Sequence, residues 1–219
     1  MSVRVAVVDD ATVIRESLVG LMPRLEDGGR FPTVEALLRA APSADLVVLD
    51  LHLANADQPD VRQGVTAVRA LVRAGHRVCT YSQDERRMVL AACLAAGASG
   101  VVSKSAPIEA AEQCFCDVAA GELVAPAAVV GMLEVLARRR SLTVIGARQR
   151  EVLAGRARGL TYAQMSKRLH VSESTLRGYW RDLTDQVSRY LQASTPAEIE
   201  TALGLGPGDL VDIWPDPED

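Results

Sequence analysis

A doubly wound α/β domain with a five-stranded parallel sheet, followed by an all-α domain of four helices, is the fold this sequence predicts. Three observations predict it. Over roughly the first 120 residues, short β-branched apolar runs alternate with segments of helical period, as in a parallel sheet covered on both faces. The second half carries no strand signal. The charge also changes sign along the chain: residues 1–137 carry a net −5, residues 138–193 a net +8 and residues 194–219 a net −7.

Val3–Val8 (V-R-V-A-V-V) is the first run and ends in Asp9-Asp10. A helix is expected from Thr12 to about Leu25, because Val13, Leu18, Leu21 and Leu25 fall on one face. Gly28-Gly29 and Pro32 read as a break, with a weak strand near Arg30–Phe31. A short helix follows over Val34–Ala41, stopped before Pro42. Leu46–Leu49 (L-V-V-L) is the second buried run and ends in Asp50. A loop to Gly64 precedes a helix over about Val65–Ala74. Arg77–Tyr81 is the next strand, and Asp84–Ala96 is helical with Gly97 as its stop signal. Ser99–Val102 ends near Lys104, and a helix runs from Pro107 to about Ala120. Domain boundaries are expected at residues 1–122, a helical linker at 123–142 (with a helix from Ala127 to Arg138), a helical domain at 143–205 and an irregular acidic tail at 206–219.

Several classes are excluded early. The chain of 219 residues is 48% hydrophobic and 24% charged, the balance of an ordinary globular protein rather than a disordered or fibrous one. No stretch approaches the ~18 uncharged apolar residues of a membrane span. The first ten residues already contain two aspartates, unlike a signal peptide, so a cytoplasmic protein is expected. Cys79, Cys93, Cys114 and Cys116 are irregularly spaced for a disulfide framework or a zinc site. Cys114 and Cys116 stand two apart on a helix, where they do not face together. His52, His76 and His170 are isolated in sequence.

A parallel sheet binds its ligands at the carboxyl ends of its strands. The residues expected there are Asp9, Asp10, Asp50, Thr80 and Lys104, and none is apolar. Three ionised carboxylates in one pocket repel each other and call for a cation. Oxygen donors with room for water suit Mg2+, which takes one or two carboxylates together with phosphate oxygens. Lys104 would pair with a phosphate oxygen and the Thr80 hydroxyl would donate to another, so the pocket supports transient acyl-phosphate chemistry on an aspartate.

The segments V-A-V-V-D-D, L-V-V-L-D-L, V-C-T-Y-S and S-G-V-V-S-K resemble the receiver domain of bacterial two-component response regulators, a flavodoxin-like fold. This resemblance covers residues 1 to about 120. It implies Asp50 as phosphoacceptor, Asp9 and Asp10 as the acidic Mg2+ pair, the backbone carbonyl of His52 as a further ligand, and Thr80 and Lys104 as the switch and phosphate-pairing residues. It also implies a sensor histidine kinase as partner. The sequence departs from the family pattern at three places. The loop from Leu51 to Gly64 lacks the usual Met-Pro and carries about six extra residues, in a class of segment that tolerates insertion. Val101 replaces the common aromatic three residues before the lysine, and Ser105 replaces a common proline.

The basic half has helix-turn-helix punctuation. Gly159 ends one helix, Thr161 caps the next, His170-Val171 makes a turn, and Ser172 caps a longer helix with Glu173 in its first turn. Helices are expected at about Arg148–Arg158, Tyr162–Leu169, Glu173–Arg189 and Pro196–Leu203. Ala163, Met165 and Leu169 are expected to pack inward, and Trp180 reads as core. A helix entering the major groove by its N-terminus would offer Glu173, Ser174 and Arg177 to base edges. Lys167, Arg168, Arg181 and the run Arg138–Arg140 would face phosphates. The full candidate contact set is Lys167, Arg168, Ser172, Glu173, Ser174, Thr175, Arg177, Tyr179 and Arg181.

This portion resembles the LuxR-type (NarL/FixJ-class) helix-turn-helix over about residues 143–205. The resemblance implies double-stranded DNA as ligand, with the last helix (S-T-P-A-E-I-E-T-A-L) used for homodimerisation. Gln149, Leu176 and Tyr179 depart from the common residues, and Gly178 stands inside the recognition helix, where glycine costs about 1 kcal/mol relative to alanine. The sequence therefore predicts a non-enzymatic, DNA-binding transcriptional response regulator. Two rival readings remain open. One is an atypical regulator that binds DNA independently of phosphorylation and uses its first domain for dimerisation or for partner or ligand sensing. The other is an aspartate-nucleophile phosphatase, disfavoured because His52 stands where such enzymes need an acid.

Overall fold

The computed structural model describes residues 2–55, 58–139 and 145–215. The chain divides into two compact units, Met1–Val124 and Ala125–Asp219.

The first unit runs β1 (Val3–Val8), α1 (Thr12–Ser17), a 3-10 turn (Val19–Leu21), β2 (Leu25–Phe31), α2 (Val34–Ala40), β3 (Leu46–Leu49), α3 (Gly64–Arg73), β4 (Val78–Ser82), α4 (Arg87–Ala95), β5 (Gly100–Ser103) and α5 (Ile108–Ala119). The five strands form a parallel sheet in the order β2-β1-β3-β4-β5. This is the doubly wound order expected, and it reverses direction between β1 and β3. Strands β3 and β4 are buried along their whole length, which is why they read as unbroken apolar runs.

Two expectations about the first unit need correction. The helix after Asp10 does not reach Leu25: α1 ends at Ser17 and the chain is extended by Met22 (φ −120°, ψ 97°). Pro23 explains this, since a proline forces the residue before it out of the helical region. Gly28-Gly29 do not break the chain either. They lie within β2, whose register against β1 steps from Val5↔Asp27 to Ala6↔Gly29. Gly28 is thus the extra residue of a bulge, and a Cβ there would stand 3.0 Å from the Val5 carbonyl.

The second unit is helical: α6 (Ala127–Arg138), α7 (Ala147–Ala157), α8 (Tyr162–Leu169), α9 (Glu173–Ala193) and α10 (Pro196–Leu203). The stretch expected to be a linker thus supplies α6, which packs on α7, while α7 and α8 both pack on α9. Leu176, Trp180, Leu183, Val187 and Leu191 form the buried stripe of α9, at helical spacing. Met165 is buried as expected and Leu169 half-buried, but Ala163 is exposed. Gly155 lets α7 approach α8, for a Cβ there would meet Met165 Sδ at 2.5 Å. Gly178 has no such reason, since nothing lies within 4 Å of where its Cβ would stand.

The segment after α10, expected to be irregular, is held in place as far as Pro215. The buried Glu200 carboxylate accepts the backbone N–H groups of Gly208 (3.1 Å) and Leu210 (2.8 Å). Trp214 donates its indole N–H to the Ser194 carbonyl at 3.1 Å, and Leu210 and Trp214 are both buried. Residues 216–219 of the acidic tail lie outside the described residues. Among the described residues, no helix is long and apolar enough to cross a membrane.

Candidate functional site

The sheet brings the predicted acids together. Val8 of β1 and Leu49 of β3 are register partners, so the residues that follow, Asp9 and Asp50, leave the sheet side by side. The Asp50 N–H continues the ladder to the Val8 carbonyl at 2.8 Å. Carboxylate oxygens of Asp9, Asp10 and Asp50 all lie within 4.8 Å of one another. Lys104, just past β5, places Nζ 2.8 Å from Asp9 Oδ2 and 3.0 Å from Asp50 Oδ2. Asp9 and Asp50 are buried, and Asp10 is half-buried.

Burial pushes the Asp9 carboxyl above its ordinary pKa, a rise that the Lys104 ammonium only partly offsets. Burial works against the Lys104 charge too, but its hydrogen bonds to Asp9 and Asp50 outweigh it and hold the amine above the usual lysine value. Three carboxylates and one ammonium leave the pocket two negative charges in excess. A dication would cancel them, and the all-oxygen donor set is of the type that holds Mg2+.

Backbone contacts orient the acids. Asp9 Oδ1 accepts the Ala11 N–H at 2.9 Å, and Asp50 Oδ1 accepts the Leu51 N–H at 2.8 Å. The Arg15 guanidinium donates to the carbonyls of Asp9 (2.8 Å) and Asp10 (3.1 Å), fixing the turn that carries both side chains. Sequence reasoning missed Arg15, although its position one turn into α1 was the available signal. It also missed Asn55, whose side-chain N–H group reaches Asp10 Oδ2 at 3.5 Å from within the long loop.

Thr80 does not end its strand, contrary to expectation. Strand β4 continues two residues beyond it, and its hydroxyl points along the sheet to the Gly100 carbonyl at 3.5 Å. The hydroxyl at the carboxyl end of β4 belongs to Ser82. This buried residue is the register partner of Ser103, and its carbonyl accepts the Lys104 N–H at 2.9 Å. Ser82 Oγ also accepts the Asp84 N–H, and Asp84 Oδ1 accepts the Arg86 N–H, so these turns delay α4 until Arg87. The His52 ring is exposed, with Nε2 3.9 Å from Asp84 Oδ2. Hydrogen bonding from Arg86 holds the Asp84 carboxyl below its ordinary pKa. Val101 is a buried aliphatic within β5, and Tyr81 packs edge-on against Phe115 with ring centroids 5.4 Å apart.

The second unit carries the other candidate surface. Thr161 caps α8 by accepting the Gln164 N–H at 3.2 Å, and Ser172 caps α9 by accepting the Thr175 N–H at 3.2 Å, as their positions predict. Between them His170 adopts the left-handed conformation (φ 52°) that closes α8. Glu173, Ser174, Thr175, Arg177 and Arg181 of α9 are exposed, with Tyr179 half-buried. Lys167 and Arg168 are exposed in the last turn of α8. Trp180 is buried, as core. In the arginine run, Arg138 pairs with Glu134 at 2.6 Å, and Arg139 donates to the Ala202 carbonyl at 3.1 Å. Both are held by the protein's own acceptors, and Arg140 lies outside the described residues.

No protein-family model matches the chain. Two curated proteins are similar to it. The probable transcriptional regulatory protein SgaR of Hyphomicrobium methylovorum is 27% identical over 84% of this chain and 86% of that protein. The DNA-binding transcriptional activator DevR/DosR of Mycobacterium tuberculosis is 28% identical over 81% of this chain and 84% of that protein. Among solved structures, the two-component response regulator RcsB in complex with DNA shares the fold, with a TM-score of 0.52 at 16% identity over 93% of this chain and 98% of that one. By fold, then, the chain is similar to the response regulator RcsB, and by sequence to two transcriptional regulatory proteins. Both of these relatives carry the name of a transcriptional regulator.

Proposed function

We propose that the chain is a cytoplasmic transcriptional response regulator that binds double-stranded DNA through its second unit, as a homodimer, under control of Mg2+-dependent phosphorylation of Asp50. The observation that carries the reading is the convergence of Asp9, Asp10 and Asp50 within 4.8 Å, with Lys104 bridging Asp9 and Asp50. Asp9, Asp10, Asp50 and the His52 backbone carbonyl would hold the ion. Mg2+ when bound would neutralise phosphoryl oxygens during transfer.

The chain's own residues do the rest. A carboxylate oxygen of Asp50 attacks phosphorus of a phosphohistidine on a sensor kinase, or of a small acyl phosphate. The new P–O bond forms as the donor's P–N or P–O bond breaks, and the donor leaves with the electron pair. Lys104 then pairs with a phosphoryl oxygen in place of the Asp50 carboxylate. Ser82 takes the role that the resemblance gave to Thr80: its hydroxyl turns to the added phosphoryl group and draws the β4–α4 turn with it. Such a change biases a two-state surface towards dimers and towards DNA.

The exposed residues Glu173, Ser174, Thr175 and Arg177 at the N-terminal end of α9, with Tyr179 behind them, would meet base edges. Lys167, Arg168, Ser172 and Arg181 would meet the backbone, giving a salt-sensitive affinity. Labelling with acetyl phosphate and Mg2+ tests the site. Asp50→Asn is expected to abolish incorporation, and undiminished labelling would reject Asp50 as acceptor.

A further inference from the structure

Two guanidiniums and two rings stack across α7, α8 and α9. Arg177 Cζ lies 4.4 Å from the centroid of the Tyr162 ring. Arg156 Cζ lies 5.1 Å from the same ring and 5.4 Å from the Trp180 ring. All three distances are within the range of a cation–π contact. Exposure is graded along this ladder: Trp180 is buried, Arg156 and Tyr162 are half-buried, and Arg177 is exposed. The core of the second unit is therefore tied, ring by ring, to one cation on the outer face of α9.

The position of that cation matters. Arg177 lies in the second turn of α9, beyond the Ser172 cap, among the residues that a groove-entering helix offers to bases. A free arginine loses rotamer freedom when it makes a contact. One already lying over a ring loses less, and guanidinium presents its donors as a planar fork. The acceptor pair that a planar fork matches in the major groove is O6 and N7 of guanine.

We infer that Tyr162 is a positioning residue for Arg177, and that Arg177 held on its ring reads a guanine in each half-site. The inference rests on the DNA-binding reading of the second unit and adds to it the base that is read and the residue that prepares the reader. Tyr162, at the start of a neighbouring helix, touches no base in this scheme.

The test is selection of bound duplexes from a random-sequence pool by the intact chain and its variants, with folding followed by circular dichroism. The unsubstituted chain is expected to enrich a motif containing a guanine that Arg177→Ala no longer selects. Tyr162→Leu is expected to lower the preference for that guanine twofold to fivefold, the equivalent of about 0.5–1 kcal/mol. Tyr162→Phe keeps the ring face and is expected to keep the preference. Should Tyr162→Leu fail to fold, Arg177→Lys serves instead, because it retains the charge but lacks the fork. It is expected to lose the guanine preference while its affinity keeps the same dependence on salt. An unchanged guanine preference in Tyr162→Leu or in Arg177→Lys overturns the inference. An unsubstituted chain that enriches no duplex overturns the DNA-binding reading itself.

Discussion

Replacing Asp9 by asparagine is expected to make the first unit more stable, although Asp9 is a ligand candidate. At an effective dielectric of about 20, the Lys104 contact at 2.8 Å is worth roughly 6 kcal/mol of gross attraction. Against it stands repulsion from Asp50, whose carboxylate lies within 4.8 Å, of at least about 3.5 kcal/mol on the same scale. Removing a carboxylate from water adds several kcal/mol more. The balance is unfavourable to the ionised form, in line with the raised pKa of Asp9. The sign follows: the contribution of Asp9 to stability is full below its ordinary value of 3.8 and is lost as pH rises through its higher folded pKa. At pH 7 the charge is therefore a net cost, and Asp9→Asn leaves Lys104 its partner Asp50. We expect a gain of about 1–2 kcal/mol without divalent ions. At ten times its dissociation constant, Mg2+ should return roughly 1.4 kcal/mol to the unsubstituted chain and less to the variant. Both tryptophans, Trp180 and Trp214, lie in the second unit, so amide exchange of β1 and β3 is the suitable assay. A variant less stable than the unsubstituted chain at pH 7 in chelator would refute the reasoning.

Four further expectations can be checked alongside. Lys104→Met leaves two buried carboxylates unpaired and should destabilise the first unit by about 3–5 kcal/mol at pH 7, read by the same exchange assay. Thr80→Val should leave phosphorylation and its effect on oligomeric state intact, whereas Ser82→Ala should keep phosphorylation and weaken the shift to dimers, measured by size-exclusion chromatography. Gly178→Ala should raise the stability of the second unit by about 1 kcal/mol, since the added methyl enters open space; a thermal melt decides. Glu200→Ala strips the acceptors from two backbone N–H groups and should cost about 2–4 kcal/mol, with a red shift of Trp214 emission as the C-terminal segment is released.

What could be read from the sequence tracks how strongly burial shapes it. Strands β1, β3 and β5 and helices α6, α8 and α10 were legible because apolar runs and caps mark their limits. Strand β2 was not, because it is the sheet edge: among L-E-D-G-G-R-F only Leu25 is buried, and its glycines serve a bulge that looks like a break. The early end of α1 was present in Pro23 and was outweighed by the spacing of leucines. For the site, the acids and the lysine were legible because Asp9, Asp50 and Lys104 each directly follow a strand, with Asp10 next to Asp9. The end of β4 was read early because Tyr81 looks like the end of an apolar run, while the strand extends to a buried Ser82. The intramolecular partners of Arg138 and Arg139, four and 63 residues away, were not read from the sequence. The docking of Leu210 and Trp214 depended on the carboxylate of Glu200, whose charge in sequence suggested solvent.

The central claim is that a phosphoryl group on Asp50 governs how the second unit holds DNA. It is tested most directly by titrating a fluorescent duplex, taken from the selected pool, with the intact chain before and after treatment with acetyl phosphate and Mg2+. The account predicts tighter binding and a shift to dimers on treatment, both absent in Asp50→Asn. Equal affinity and equal size in treated and untreated protein, with the label present on Asp50, would contradict it.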